Sequence, residues 1–318
     1  MCTAISYKNK NHYFGRNLDL EYSYKESVTI TPRQYPFHFK RCKAINNHYG
    51  IIGMAYVQDN YPLYYDATNE AGLSMAGLNF PDNAEYFPEI EGKDNITPFE
   101  FIPWILSQCK NIDEAKKLLE KMNMVNISYS EQLSLSPLHW IISDREKSIT
   151  VESVSEGLKV YDNPVGVLTN NPTFPYHMMN LNNYMSLSVD PPGNNFSEGI
   201  SMNNYSRGMG ALGLPGDWSS ASRFVRATFV KENSVAGTSE EEEVSQFFHI
   251  LDSVAFPRGV VRMKPDLYEI TIYSSCCDTK KGIYYYKTYD NPHIKAVDMR
   301  KVSMESSSLI SYPLYLKE

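Results

Sequence analysis

Residues 2–19 read CTAISYKNKNHYFGRNLD, two runs of β-forming side chains on either side of the turn-like Lys8-Asn9-Lys10-Asn11. The pattern predicts a hairpin of strands Thr3–Tyr7 and Tyr13–Asn17. With the turn centred near Lys10, Cys2 falls opposite Leu18, and Arg16 is its diagonal neighbour on the same face. Asp19 has the other parity but lies where the strand would end. A slip of one residue would move every side chain to the opposite face, so the register carries the argument.

Cys2 holds the chemistry. An initiator methionine is usually trimmed when the next residue is small, and trimming here would leave a cysteine with a free α-amine. Such an amine has a pKa of about 7.7–8.0, low enough to act as a base at neutral pH. A thiol near ~8.5 is only slightly ionised there. Nucleophile and base then sit on one residue, and no histidine is required. Arg16 would stabilise the thiolate, and Asp19 could hold the α-ammonium or orient the amine. The plainer alternatives are a frayed terminus for Cys2 and a surface ion pair for Arg16 and Asp19, worth about 0–1 kcal/mol. An attached Met1 would block the amine altogether.

Outward from the hairpin, further strands are predicted at Ser27–Thr31, Tyr49–Val57, Leu73–Asn79, Leu138–Ser143 and Ser148–Val154. Val160–Tyr161 and Val165–Thr169 read alike, and Tyr268–Ser274, Gly282–Thr288 and His293–Val297 close the chain. Helices are expected over Pro98–Cys109, Ile112–Met124, Tyr176–Met185, Ser219–Lys231 and Ser239–Val254. Glu240–Glu243 opens the last of these and reads as a solvated helix start. Elements grouped in blocks indicate an α+β protein of packed layers in one domain, 1–318, rather than a doubly wound sheet. Neither dinucleotide nor P-loop glycine motifs occur.

Composition narrows the function. A chain of 318 residues with 42% hydrophobic side chains can bury a large core, which excludes disorder as the main state. The net charge of -7 argues against a general nucleic-acid binder. Five cysteines without a C-x-x-C pair suit a reduced, cytoplasmic setting. No apolar run approaches the ~20 residues of a membrane span, and the N-terminus does not read as a secretory signal. The histidines are scattered with no metal-ligand spacing, so neither a metal nor another cofactor is expected.

Met1-Cys2-Thr3 followed by Phe14-Gly15-Arg16-Asn17-Leu18-Asp19 resembles the choloylglycine hydrolase family, which holds conjugated bile salt hydrolases and penicillin V acylases. Matches continue through Ala76-Gly77-Leu78-Asn79-Phe80, Gly166–Phe174, Gly213–Asp217, Ala221–Phe224 and Gly282–Tyr286. The resemblance implies a four-layer αββα N-terminal nucleophile hydrolase sandwich of two antiparallel sheets flanked by helices. It implies Cys2 as nucleophile, Arg16 and Asp19 as the residues that tune it, Asn79 and Asn170 at the oxyanion site, and Arg223 as a second active-site arginine. Asn171, adjacent to Asn170, is the competing assignment.

The same resemblance implies glycine- or taurine-conjugated bile salts as substrates. Leu18, Tyr129 and Leu133 match apolar pocket positions, and Gln58 stands where relatives often carry an aromatic. Asn79 favours bile salts, since penicillin V acylases tend to carry tyrosine there. The loop Arg207–Gly210 is expected to sort the conjugates, leaning toward glycine. A homotetramer is implied as well. Penicillin V acylase chemistry, an inactive binding protein and a Cys/His protease are the rivals. His139, beside Trp140, reads as a packed core histidine with no catalytic role, and Arg223 on its own reads equally well as a solvated helix arginine.

Overall fold

The computed structural model describes residues 1–314. The chain opens with β1 (Cys2–Lys8), β2 (His12–Leu20), β3 (Ser27–Thr31), β4 (Ile51–Gln58), β5 (Tyr61–Asn69), β6 (Ser74–Asn79) and the short β7 (Asp94–Ile96). Helices α1 (Phe101–Gln108) and α2 (Ile112–Leu119) follow. Then come β8 (Met122–Met124), β9 (Leu138–Ser143), β10 (Ser148–Val154), β11 (Gly157–Asp162) and β12 (Val167–Leu168). A helical block of α3 (Phe174–Leu181), α4 (Ser220–Glu232) and α5 (Glu240–Asp252) precedes β13 (Arg262–Lys264), β14 (Leu267–Tyr268), β15 (Ile270–Asp278), β16 (Ile283–Thr288), β17 (Lys295–Asp298) and β18 (Ile310–Pro313).

The hairpin forms in the expected register, Cys2 opposite Leu18 and Lys8 opposite His12. It lies inside a six-stranded sheet of order β12-β1-β2-β15-β16-β17. The second sheet has eight strands in the order β11-β10-β9-β6-β5-β4-β3-β18. Pairing within both is antiparallel. One apolar core joins the facing sheets to α3, α4 and α5, through Ala4, Leu18, Met54, Leu78, Phe224 and Phe247. A second packs α1 and α2 against the outer face of the larger sheet, through Ile51, Met75, Trp104, Ile105 and Trp140. These are the four layers.

Two features fix the hairpin in place. Gly15 admits the backbone of β15 so closely that a Cβ would stand 2.0 Å from the Ser275 carbonyl oxygen. The turn is tied to α5 by Glu243, whose carboxylate accepts from the Tyr13 hydroxyl at 2.8 Å and from the Asn9 and Asn11 amides, both at 2.9 Å. Glu243 is therefore buried rather than solvated, and Glu240 is half-buried against Tyr285, while Glu241 and Glu242 are exposed. Glu242 forms a capping box with Ser239, as acidic residues at a helix start do.

Two helix bounds change, and one long strand goes unpredicted. The helix foreseen over Ile112–Met124 stops at Leu119, and Met122–Met124 instead pairs in parallel with Asp94–Ile96. Met122 and Met124 are buried there as strand residues. The helix foreseen from Tyr176 starts at Phe174, after Thr173, with proline in its first turn where the missing N–H costs nothing. β5 was not foreseen, because Pro62 and Asp66 interrupt its apolar run. Asp66 is nonetheless buried, accepting from the hydroxyls of Tyr273, Tyr284 and Ser275.

Candidate active site

Cys2 begins β1 and is buried. Its amide N–H donates to Asn170 Oδ1 at 2.9 Å, and its carbonyl accepts from Arg223 Nη1 at 2.5 Å. Asn170 follows β12 on the neighbouring strand. Its backbone N–H is fixed on Ser220 Oγ at 2.8 Å, at the start of α4. Arg223, one turn further along α4, reaches Asn170 Oδ1 with Nη2 at 2.7 Å and Thr3 Oγ1 with Nη1 at 2.7 Å. Asn171 turns away and donates to the Pro81 carbonyl. Asn170 Nδ2 donates to the carbonyl of Asn79 at 2.7 Å, which closes the gap between the two sheets.

Arg16 sits on β2 and crosses to the facing sheet. Its Nη1 donates to the Gly77 carbonyl at 2.5 Å and to the Tyr65 carbonyl at 2.9 Å, while Nη2 has no partner among the described residues. Burial alone would lower its pKa, but the Cys2 sulfur, Tyr273, Asp66 and Asp19 together raise it. The guanidinium therefore stays charged. Arg223 is equally buried. Desolvation lowers its pKa to about 10 against the opposing pull of Asp19 and Cys2, so it too is a cation at neutral pH.

Asp19 lies on the opposite face of β2, toward the helices, as its parity requires. Burial raises its pKa, while the terminal ammonium, Arg223, Thr271 and Arg16 pull it back. Thr271 Oγ1 donates to Asp19 Oδ1 at 2.6 Å, and Asp19 Oδ2 is unpartnered among the described residues. Met1 extends the hairpin ladder by one pair. Its carbonyl accepts from the Asp19 N–H at 3.0 Å, and its ammonium donates to the Asp19 carbonyl at 2.6 Å and to buried Glu269. Desolvation lowers the pKa of that ammonium.

Cys2, Arg16, Asp19, Asn79, Asn170 and Arg223 thus converge at one end of the two sheets. Leu18 stands directly across from Cys2 in the buried layer. The other pocket candidates form a group of their own. Tyr129 donates its hydroxyl to the Gln58 carbonyl at 2.9 Å, and Gln58 Oε1 accepts from Tyr56 at 2.8 Å. Leu133 is half-buried in the same loop as Tyr129. Thr271 and Glu269 were missed by sequence reasoning. They reach the site because β15 shifts register against β2 between Thr271 and Tyr273, a bulge of the kind that re-aims side chains near active sites.

This group brings together the elements acyl transfer needs: a thiol carried by the first residue of a strand, two buried cations, a buried carboxylate and the amide side chain of Asn170. Comparison with known proteins bears on it. The family model described as linear amide C-N hydrolases, choloylglycine hydrolase family, matches residues 2–312. A bile salt hydrolase/transferase from Lactiplantibacillus plantarum is 57% identical across 99% of this chain and 97% of its own. A crystal structure of a conjugated bile acid hydrolase variant from Clostridium perfringens superposes with a TM-score of 0.90 at 39% identity, covering 98% of this chain and 97% of that one. Penicillin V acylase from Agrobacterium tumefaciens shares the fold, at a TM-score of 0.77 and 21% identity over 98% of this chain and 90% of its own.

Proposed function

The chain belongs to the choloylglycine hydrolase family of linear amide C-N hydrolases, and from that membership we propose that it cleaves the amide of glycine- or taurine-conjugated bile salts with Cys2 as nucleophile. The observation that carries the reading is the Cys2 main-chain nitrogen, 2.9 Å from Asn170 Oδ1, an oxygen that buried Arg223 also holds at 2.7 Å. Once Met1 is removed, that nitrogen becomes a free α-amine held by Asn170, with the unpartnered oxygen of Asp19 nearby to steady its ammonium form.

The steps follow from the atoms. The α-amine takes the thiol proton, and the sulfur attacks the amide carbon. The resulting oxyanion receives an N–H from the Asn79 amide and the second N–H of Asn170, whose first is engaged on the Asn79 carbonyl. As the C–N bond breaks, the α-ammonium protonates the departing amine, leaving a thioester. The same amine then activates water to release the bile acid and regenerate the thiol. Arg223 keeps Asn170 Oδ1 turned toward the amine, so the amide protons point toward the reacting oxygen.

For the steroid, Leu18 offers an apolar side chain opposite Cys2, and the family resemblance assigns Tyr129, Leu133 and Gln58 to the pocket as well. Asn79, rather than tyrosine, favours bile salts over penicillin V, and Arg207–Gly210 biases the choice toward glycine conjugates. We place this single catalytic domain, 1–318, in the reduced cytoplasm, in keeping with its five free cysteines. No helix among the described residues is long and apolar enough to cross a membrane. The family resemblance implies a homotetramer, and the apolar side chains Met185, Val189, Phe196, Tyr205 and Leu212, exposed between α3 and α4, are a surface such an assembly would cover.

Native mass spectrometry joined to turnover assays tests the reading. The wild type should have subunits lacking Met1, assemble as tetramers and cleave glycocholate faster than penicillin V. Cys2→Ala should cleave neither. Turnover by that variant would remove the mechanism, and preference for penicillin V would move the substrate to the acylase branch.

A further inference from the structure

Two histidines stand behind Asn170, and the reaction above uses neither. His139 on β9 and His177 on α3 are both fully buried. His139 Nε2 lies 3.0 Å from the Thr169 carbonyl oxygen, and His177 Nε2 lies 2.8 Å from the carbonyl oxygen of Asn170 itself. A carbonyl only accepts, so each contact is a ring N–H donated to the backbone. In His177, burial pushes the pKa down to about 4, which leaves a neutral ring whose proton is at Nε2. Its Nδ1 has no partner among the described residues.

His139 faces an acceptor on both sides, since its Nδ1 lies 3.1 Å from Glu152 Oε1. Glu152 Oε1 also accepts from the Phe174 N–H at 3.0 Å, joining β10 to the first turn of α3, the helix that carries His177. Both rings are clamped. Phe80 stacks on His139 with centroids 4.1 Å apart and planes 7° apart, and Phe224 lies against His177 at 4.7 Å and 23°.

We propose that His139 and His177 are positioning residues for Asn170. By gripping consecutive backbone carbonyls, those of Thr169 and Asn170, they hold the side-chain amide that faces the Cys2 nitrogen and the reacting oxygen. The assignment rests on the role given to Asn170 above. Residue 170 carries four polar contacts within one amide side chain and its backbone N–H, so a small shift disturbs all of them at once. In such sites a displacement of about 1 Å costs up to about 100-fold in rate.

The test measures kcat and KM for glycocholate, per mole of folded protein, for His139→Phe, His177→Phe and His139→Gln. Each is made alone and with Asn170→Ala. Phenylalanine keeps the ring and its stacking but loses the N–H, while glutamine restores an N–H. Either phenylalanine variant should lower kcat about 10- to 100-fold with KM within about twofold of wild type. His139→Gln should recover most of the loss. With Asn170 already alanine, the phenylalanine substitutions should lower kcat no further. A reduced thermal midpoint with unchanged kcat, or an equal loss in the Asn170→Ala background, would overturn the proposal. If His139→Phe does not fold, His177→Phe, on a different element, decides the question. Turnover by Cys2→Ala would refute the nucleophile assignment instead, so the two failures are distinguishable.

Discussion

Asn79 closes β6 with a half-buried side chain, while its carbonyl is spent on Asn170. Its side-chain amide is the donor proposed above for the oxyanion. A donor of this kind is worth roughly 100- to 1,000-fold in kcat, so Asn79→Ala should lose about that much. Its thermal midpoint should stay near wild type, because no buried partner is left unpaired; steady-state kinetics and a melting curve check both halves. At this scale the sequence was legible where chemistry and register coincide. Cys2, Arg16 and Asp19 follow from one hairpin. Arg223 read alone passes for a solvated helix arginine, and only the family likeness marked it; its guanidinium is in fact fully buried. Thr271 and Glu269 carried no local signal. They lie about 250 positions from Asp19, at and just before the start of an ordinary strand, and the bulge beside them is a tertiary event.

The β1–β2 hairpin is the element on which the site depends, since it supplies the sulfur, one cation and the carboxylate. Its packing against β15 leaves no room at Gly15, where a methyl group would meet the Ser275 carbonyl oxygen. Gly15→Ala should cost about 1–3 kcal/mol in urea unfolding and lower kcat as well, because Arg16 and Asp19 shift with the strand. A stability loss with kcat intact would show that the site tolerates movement of β2. The strands Ser27–Thr31, Leu138–Ser143 and Ser148–Val154 coincide with their predicted bounds, being compact runs set off by polar or turn residues. β5 did not, because a buried carboxylate answered by three hydroxyls looks the same in sequence as a solvated one.

For the whole molecule, two buried imidazoles set an acid limit. Desolvation lowers both His12 and His177 to about 4. In the unfolded chain each would titrate near ~6.5, so between the two values the unfolded state binds more protons. Stability is thus complete above about pH 6.5 and drains as pH falls toward about 4, by up to about 3 kcal/mol per histidine. Urea midpoints should be flat near neutrality and drop below about pH 6.5, and His12→Gln should flatten the decline. A wild-type midpoint unchanged down to pH 4 would contradict the burial argument. At this scale the order of strand and helix blocks already pointed to stacked layers, which the two antiparallel sheets and their flanking helices realise.

The pairing of Met1 with Asp19 has a practical corollary for anyone producing the enzyme. The polypeptide enters its first strand with its ammonium held by the Asp19 carbonyl and the buried Glu269 carboxylate. An affinity tag encoded upstream would displace that ammonium and cap the proposed base, so such material should be inert until a protease trims it flush to the sulfur-bearing residue. The same tag appended after residue 318 should leave the amino terminus, and the turnover, untouched.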